Sequence, residues 1–298
     1  MTLLVATFVS NPQAPALTDA LITRAAQALG TEGQTQWLGK DIAADLIFES
    51  AQSPRSLADA FRGAVEPYPI DVIVQPVAGR RKKLFLADMD STMIGQECID
   101  ELADYVGLKV QVSNITERAM RGELAFEPAL RERVALLKGL DVSVIAEILK
   151  ERIHYTPGGR ELVRTMRAHG AYTALVSGGF TLFTGPVSQA IGFHEHRSNE
   201  LIINDGKLAG LVAEPILGKE AKLATLKELA RVNQLQPHET MAVGDGANDL
   251  AMLQDAGLGV AYHAKPAVAE AAAARVDYSD LTALLYAQGY NHREIVQD

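Results

Sequence analysis

The sequence predicts an α/β protein with a doubly wound, Rossmann-like parallel sheet and a helical cap inserted over its site, preceded by a small α/β domain. From residue 83 onward, short apolar runs alternate with helical patterns, which is typical of buried parallel strands joined by helices. Residues 96–154 show helical periodicity without strand signals and indicate the cap. Residues 1–79 have strand and helix patterns of their own, ahead of this alternation.

The predicted first domain covers residues 1–79. Its strand and helix patterns lie at residues 3–9, 17–29, 45–50, 57–64 and 70–74. This order resembles the ACT-like regulatory domains that precede some amino-acid enzymes. The basic stretch 80–83 follows Gly79 and is interpreted as a solvated linker rather than a nucleic-acid contact.

The predicted second domain covers residues 80–298, with the cap at about 96–154. We expect its strands at residues 84–87, 172–176, 241–243 and 259–262. We expect its helices at residues 159–168, 219–232, 248–255 and 267–274. An Asp-Gly turn at residues 205 and 206 predicts a hairpin over 199–214.

The composition restricts the function. The 298 residues carry a formal charge of -9, from 37 acidic and 28 basic side chains. This charge disfavours nucleic acid and anionic membranes as partners, and no run of about 20 apolar residues predicts a membrane span. One cysteine, Cys98, excludes an internal disulfide, and with the absence of a signal-like start it predicts a cytoplasmic protein.

Two aspartates end the apolar strand at 84–87, in the segment Asp88-Met89-Asp90. Side chains alternate along a strand, so Asp88 and Asp90 start on the same side of the chain. One carboxylate can attack phosphorus, while the other protonates the departing alkoxide and later deprotonates water. Because an aspartate ordinarily has a pKa of about 4, we expect burial or a like-charged neighbour to raise the pKa of Asp90.

Three further polar elements follow predicted strands or begin a helix. Ser177 and Gly178 come after the strand at 172–176, where a hydroxyl and backbone N–H groups can hold phosphate oxygens. Lys222, near the start of a helix, supplies a cation that offsets developing negative charge. A cluster after the strand at 241–243 contains Asp245, Asn248 and Asp249.

Oxygen ligands for a metal come from the same strand ends. Asp88, a backbone carbonyl near Asp90, and Asp245 offer hard oxygen atoms. With phosphate and water they complete the octahedron that Mg²⁺ requires. The sequence therefore predicts a magnesium cofactor.

These segments resemble the motifs of the haloacid-dehalogenase-like phosphatases, and their residues are similar to those of bacterial phosphoserine phosphatases. The resemblance covers about residues 82–290. It implies hydrolysis of O-phosphoserine, the last step of serine biosynthesis, with Asp88 as the nucleophile and Asp90 as the acid and base. It further implies three metal ligands, Asp88, Asp90 and Asp245, with Asp249 supporting the metal shell.

The resemblance also assigns contacts to phosphate or substrate, from Ser177, Gly178, Lys222 and Asn248. Lys219 is a near neighbour of the expected lysine. We prefer Lys222 because it stands three residues before Thr225, as the family's lysine does.

Substrate choice is expected to come from the cap. O-Phosphoserine carries an ammonium and a carboxylate beside its ester, so its pocket needs one acid and one base away from the metal. Glu97 follows the catalytic loop and can pair with the ammonium, while Arg133 can grip the carboxylate with its two-pronged donors. The resemblance assigns the same two roles, and makes Phe126 an apolar wall.

Other interpretations stay open at this point. The same fold can act as a phosphatase or phosphotransferase on another small phosphomonoester such as phosphohomoserine. A different class is a non-catalytic amino-acid sensor, although the intact Asp88, Asp90, Lys222 and Asp245 argue against a dead site. A nucleotide-binding loop at 244–249 fails because the Gly-x-Gly-x-x-Gly pattern is absent. The sequence leaves the role of the first domain and the formation of a homodimer undecided.

Overall fold

The computed structural model describes residues 1–120 and 123–297. Residues 2–76 form a four-stranded antiparallel sheet, in the order β2-β3-β1-β4, with two helices. The elements of this first unit are β1 Thr2–Ser10, α1 Asp19–Ala28, β2 Gln34–Gly39, β3 Ala43–Ser50, α2 Pro54–Val65 and β4 Ile70–Pro76. The resemblance to ACT-like domains stays a prediction.

A six-stranded parallel sheet forms the centre of the remaining chain, in the order β12-β11-β10-β5-β6-β7. This confirms the predicted α/β class and its parallel sheet. The strands are β5 Leu84–Ala87, β6 Tyr172–Phe180, β7 Glu195–Asn199, β10 Thr240–Gly244, β11 Leu258–Tyr262 and β12 Ala274–Val276. A separate hairpin consists of β8 Leu201–Asn204 and β9 Lys207–Val212.

Helices flank this sheet and also fill the stretch between β5 and β6. The helices are α3 Cys98–Tyr105, α4 Lys109–Met120, α5 Phe126–Leu136, α6 Ser143–Glu151, α7 Gly159–Ala168, α8 Thr181–Ile191, α9 Lys219–Val232, α10 Leu250–Asp255, α11 Pro266–Ala271 and α12 Ala283–Ala287. None of the helices described is long and apolar enough to cross a membrane.

Within the described residues, helices α3–α6 occupy the predicted cap region. Two chain segments join them to the sheet, and these segments are tied together because Gly95 N donates to the His154 carbonyl and Thr156 N donates to the Met93 carbonyl, each at 3.0 Å. The β8–β9 hairpin attaches to the far end of the cap, where Gly139 N donates to the Leu208 carbonyl at 2.8 Å.

Several elements differ from the sequence-based expectation. Strand β2 was not predicted because it is a polar edge strand whose first three residues are exposed. The helix predicted over 267–274 ends at Ala271, and Ala274 begins β12. Helix α8 contains Gly185 and Pro186, which masked its pattern.

The first unit packs against the end of the parallel sheet through buried polar contacts. Both carboxylate oxygens of Asp71, on β4, accept hydrogen bonds from the backbone N–H groups that follow β12, at residues 277–279, over 2.7–3.3 Å. The Gln75 amide donates to the Ala287 carbonyl at 2.8 Å. These contacts cover the β12 side of the six-stranded sheet with β4.

Candidate active site

The site begins where β5 ends. Asp88 N donates to the Val243 carbonyl of β10 at 3.0 Å, so the parallel pairing fixes the backbone from which this side chain projects. Asp88 is 5% exposed, and its Oδ1 accepts from Met89 N and from Lys222 Nζ, both at 2.7 Å. Burial raises the pKa of Asp88 well above its usual range, and the Asp249 carboxylate raises it further, against the opposing effect of Lys222.

Asp90 has partners of its own. Its Oδ1 accepts from Cys98 N at 3.0 Å and its Oδ2 accepts from Ser177 Oγ at 3.3 Å. The next residue, Ser91, has φ +56, and this left-handed turn lets Ser91 N donate to the Gln96 carbonyl at 3.2 Å. Burial raises the pKa of Asp90, as predicted, although hydrogen bonds from Cys98 oppose the rise.

Lys222 lies between two carboxylates. Its Nζ is 2.7 Å from Asp88 Oδ1 and 2.6 Å from Asp249 Oδ1, and its side chain is 3% exposed. Burial acts to lower the pKa of Lys222, but the two carboxylates outweigh it and raise the pKa above its ordinary value. Lys219, in contrast, is 67% exposed beside Glu220. The structure therefore brings Lys222 into the site and leaves Lys219 on the surface.

The loop after β10 carries two carboxylates of the site, those of Asp245 and Asp249. Asp245 Oδ1 accepts from Thr92 Oγ1 at 3.1 Å, and Asp249 Oδ2 accepts from Gly246 N at 3.0 Å. A Cβ at Gly244 would lie 2.4 Å from Asp249 Cγ, so this position has room only for glycine. Burial, followed by the neighbouring Asp249, raises the pKa of Asp245.

Asp88, Asp245 and Asp249 form a group suited to a metal ion. One carboxylate oxygen from each lies within 4.8 Å of the others. After burial, the charge of Asp249 is the next cause that raises the pKa of Asp88 and of Asp245, and a divalent cation among the three carboxylates would remove that repulsion. An all-oxygen set matches the preference of Mg²⁺. The Asp90 carboxylate is outside this group, because it faces Cys98 and Ser177.

The segment after Val176 forms a tight turn beside Asp90, here called the phosphate loop (Ser177, Gly178, Gly179). Gly179 N donates to Ser177 Oγ at 2.8 Å. A Cβ at Gly179 would lie 2.9 Å from Asp90 Oδ2, so a side chain there would displace the acid. Asn248 is half-buried in the loop after β10, where its Oδ1 would be 2.2 Å from a Cβ on Gly246.

Two charged side chains lie on the cap side. Glu97 Oε1 accepts from Ser91 Oγ at 2.7 Å. Burial, followed by the charge of Asp90, raises the pKa of Glu97 to about 7. Arg133 is half-buried, and its Nε and Nη1 donate to the Ala129 carbonyl at 3.2 Å and Thr116 Oγ1 at 3.4 Å.

The Arg133 guanidinium forms no ion pair of 4.0 Å or less with a carboxylate of the described residues. Burial lowers its pKa, while the charges of Asp100 and Glu97 act to raise it. Phe126, 37% exposed at the start of α5, lies 3.4 Å from a Cβ position on Gly178. Phe126 thus lies against the phosphate loop, and Glu97 and Arg133 are near enough to each other for their charges to interact.

Two contacts in the site were not anticipated from the sequence. Thr92, fully buried, orients Asp245, and its place directly after the Asp-x-Asp-Ser segment was an available signal. Asn199, at the end of β7, contacts the phosphate loop. Its position 21 residues after Gly178 carries no local pattern.

Comparisons with known proteins show which family the chain is similar to. The family described as haloacid dehalogenase-like hydrolase matches residues 85–254. A phosphoserine phosphatase of Albidiferax ferrireducens is 46% identical over 208 residues, covering 68% of this chain and 88% of that protein. A phosphoserine phosphatase of Archaeoglobus fulgidus is 42% identical over 225 residues, covering 75% of this chain. The match spans 65% of the length of the Archaeoglobus protein.

A solved structure shows the same arrangement of elements. It is described as a phospho-aspartyl intermediate analogue of phosphoserine phosphatase, and it is 39% identical with a TM-score of 0.64. The superposition covers 69% of this chain and 98% of the other.

Proposed function

The chain belongs to the haloacid dehalogenase-like hydrolases, and from this premise we propose that it is a Mg²⁺-dependent phosphatase that hydrolyses O-phosphoserine to serine and phosphate. The observation that carries the proposal is that the two carboxylates at the end of β5, Asp88 and Asp90, have different partners. Asp88 contacts Lys222 and belongs to the metal-suited group, whereas Asp90 is held apart against Ser177. A nucleophile and a proton donor need such different surroundings.

In the first step, an Asp88 oxygen attacks phosphorus and the bond between phosphorus and the serine oxygen breaks. The Asp90 proton passes to that leaving oxygen. The raised pKa of Asp90 supports this role, because a carboxyl group of ordinary pKa would have lost its proton at neutral pH. Asp88 becomes an aspartyl phosphate, and the solved relative is described as an analogue of such an intermediate.

In the second step, Asp90 takes a proton from water as the water oxygen attacks phosphorus. The bond to Asp88 then breaks, and phosphate leaves. Lys222 supplies positive charge beside the attacking oxygen, and the phosphate loop offers the Ser177 hydroxyl and backbone N–H groups. Asp88, Asp245 and the Asp90 backbone carbonyl would hold Mg²⁺, with Asp249 alongside, and the ion when bound neutralises charge on the phosphoryl oxygens.

The substrate assignment rests on the cap side chains and on the relatives. The relatives at 42% and 46% identity carry the name phosphoserine phosphatase, which supports a reaction at the end of serine biosynthesis. Glu97 and Arg133 supply the acid and base that an amino acid requires. The buried, free thiol of Cys98 suits a cytoplasmic enzyme.

The proposal is tested by phosphate release from O-phospho-L-serine, phosphohomoserine and p-nitrophenyl phosphate, with Mg²⁺ and with EDTA. We expect Mg²⁺-dependent release, with the highest kcat/KM for O-phospho-L-serine. Phosphate release that is indifferent to EDTA would contradict the metal assignment. A higher kcat/KM for phosphohomoserine would transfer the substrate assignment to that compound.

Arg133→Ala is expected to raise KM for O-phosphoserine by about 10- to 100-fold, because a charge-assisted contact to the substrate carboxylate is lost. KM for p-nitrophenyl phosphate, which has no carboxylate, should change by less than about threefold. The matched control is Arg131→Ala, two residues away on α5, whose guanidinium pairs with Glu127 and Glu214 at the surface. Equal losses on both substrates would argue against a carboxylate clamp.

Substrate preference is expected to depend on pH through Glu97. Its pKa of about 7 makes the carboxyl increasingly neutral below that pH, and a neutral group cannot pair with the ammonium. The ratio of kcat/KM for O-phosphoserine to that for p-nitrophenyl phosphate should therefore fall about tenfold from pH 8 to pH 6. In Glu97→Gln the ratio should stay flat. The same decline in both proteins would show that another group is responsible.

A further inference from the structure

Asn199, the last residue of β7, is a buried polar side chain that the proposed chemistry does not use. It is 2% exposed. Its Nδ2 donates to the Gly178 carbonyl at 2.9 Å and to the Leu217 carbonyl at 3.2 Å, while its Oδ1 accepts from Leu217 N at 2.7 Å. A primary amide has two N–H donors and one acceptor oxygen, so both donors and the oxygen of Asn199 form hydrogen bonds.

The hydrogen bond from Asn199 to the Gly178 carbonyl connects Asn199 to Asp90. In a trans peptide the C=O and N–H groups point in opposite directions, so holding the Gly178 carbonyl also fixes the direction of the Gly179 N–H. That N–H donates to Ser177 Oγ at 2.8 Å, and Ser177 Oγ donates to Asp90 Oδ2 at 3.3 Å. Asn199 is thus connected through the phosphate loop to the acid.

The two hydrogen bonds between Asn199 and Leu217 connect Asn199 to Lys222. Leu217 stands immediately before Gly218, the residue that caps the start of α9. Asn199 holds both the N–H and the carbonyl of Leu217, which fixes the backbone leading into this helix. Lys222, the fourth residue of α9, is the one that contacts Asp88 at 2.7 Å.

We propose that Asn199 is a positioning residue that holds the phosphate loop and the start of α9 at one fixed separation. The inference rests on the proposed function, because the separation matters only if a phosphoryl group binds between these segments. Phe126 lies 3.4 Å from a Cβ position on Gly178 and 3.6 Å from one on Gly218. The same separation therefore sets the surface that this ring of the cap contacts.

The test uses two substitutions of graded severity. Asn199→Asp keeps the side-chain shape but replaces both donors with an oxygen facing the Gly178 and Leu217 carbonyls. We expect kcat to fall about 100-fold, as for a displacement of about 1 Å at a reacting centre. Asn199→Ser keeps one donor on a shorter side chain, and we expect a loss of about tenfold. KM for O-phosphoserine and for p-nitrophenyl phosphate should change by less than about threefold in both.

The matched control is Asn233→Ala, at the other end of α9. The Asn233 amide also donates to a backbone carbonyl, that of Leu229 at 2.8 Å, but it is exposed and far along the helix from Lys222. Its kcat should stay within about twofold of the unsubstituted protein. Circular dichroism and the midpoint of urea denaturation are measured for each variant, so that folding and catalysis are separated.

Calorimetric titration with orthovanadate in the presence of Mg²⁺ provides a readout without turnover. We expect at least about tenfold weaker binding to Asn199→Ser, because vanadate mimics the transition state of phosphoryl transfer, which the fall in kcat shows to be less stabilised. A folded Asn199→Ser protein with unchanged kcat, or with unchanged vanadate affinity, would overturn the proposal. So would failure of both variants to fold, since Asn199 would then be structural only.

This design separates the inference from the substrate assignment. If the unsubstituted protein is inactive on O-phosphoserine but hydrolyses p-nitrophenyl phosphate, the proposed substrate is wrong and the Asn199 comparison proceeds on the second compound. If it hydrolyses neither, the proposed function fails. Normal activity of the unsubstituted protein together with normal activity of Asn199→Asp would reject only the positioning role.

Discussion

Asp88→Asn is expected to reduce kcat by about 10⁴-fold or more, because loss of a covalent nucleophile removes the step on which all later steps depend. The amide is isosteric, and its oxygen can still accept from Met89 N, so the fold should persist. It cannot form an acyl phosphate with the same ease, and it removes a negative charge from the group that includes Asp245 and Asp249. Initial rates of phosphate release from O-phosphoserine measure the effect.

Acid quenching tests the covalent step directly. With O-phosphoserine labelled in its phosphoryl group, the unsubstituted protein should retain the labelled phosphoryl group on Asp88. The Asp88→Asn protein should retain none. The control is Asp255→Asn, which removes a partly exposed carboxylate paired with Lys227 at the end of α10. Its rate should be close to that of the unsubstituted protein. An Asp88→Asn protein with a tenth of normal activity would exclude Asp88 as the nucleophile.

Lys222→Met is expected to lower both stability and activity. Without the ammonium, the buried carboxylates of Asp88 and Asp249 face each other uncompensated, and breaking such a buried pair costs about 3–5 kcal/mol of unfolding free energy. The loss should be largest in EDTA and smaller with Mg²⁺, because the ion restores positive charge among the same carboxylates. kcat should fall about 100- to 1000-fold, since a preorganised cation is lost beside the phosphoryl group.

Urea denaturation with EDTA and with Mg²⁺ measures the stability change for Lys222→Met. Lys219→Met serves as the control, because its ammonium is exposed and pairs with Glu220 at the surface, so its effect should stay within about 0.5 kcal/mol. Similar destabilisation in the two variants would argue against a special role for Lys222. A destabilisation that Mg²⁺ leaves unchanged would show that the ion does not bind among these carboxylates.

The sequence could locate the main acidic and basic groups because parallel strands end at one edge of the sheet. Asp88 follows β5, Ser177 lies at the end of β6, and Asp245 follows β10, so their proximity follows from the alternation of strands and helices. Lys222 was chosen over Lys219 by its resemblance to the family's lysine, three residues before Thr225. The structure does bring Asp88, Asp245 and Lys222 together, and it places Glu97 within reach of the charges of Asp90 and Arg133.

The sequence could not show which partners each carboxylate contacts. That Asp90 faces Ser177 while Asp249 joins Asp88 depends on the left-handed turn at Ser91 and on the absence of a side chain at Gly244. The clamp formed by Asn199 depends on where β7 ends, and β7 itself has too mixed a pattern to predict a strand. Local periodicity does not predict contacts between residues that are far apart in the sequence.

Strand β12 is the last strand of its sheet, and such strands are templates on which other polypeptides can add. Here β4 lies over that side, and the Asp71 carboxylate occupies the backbone N–H groups that follow the strand. Because β4 contacts β12, we expect the first unit to give protection against strand addition at this edge. A chain shortened to begin at residue 80 would lose this protection and would need lower concentrations to stay monodisperse.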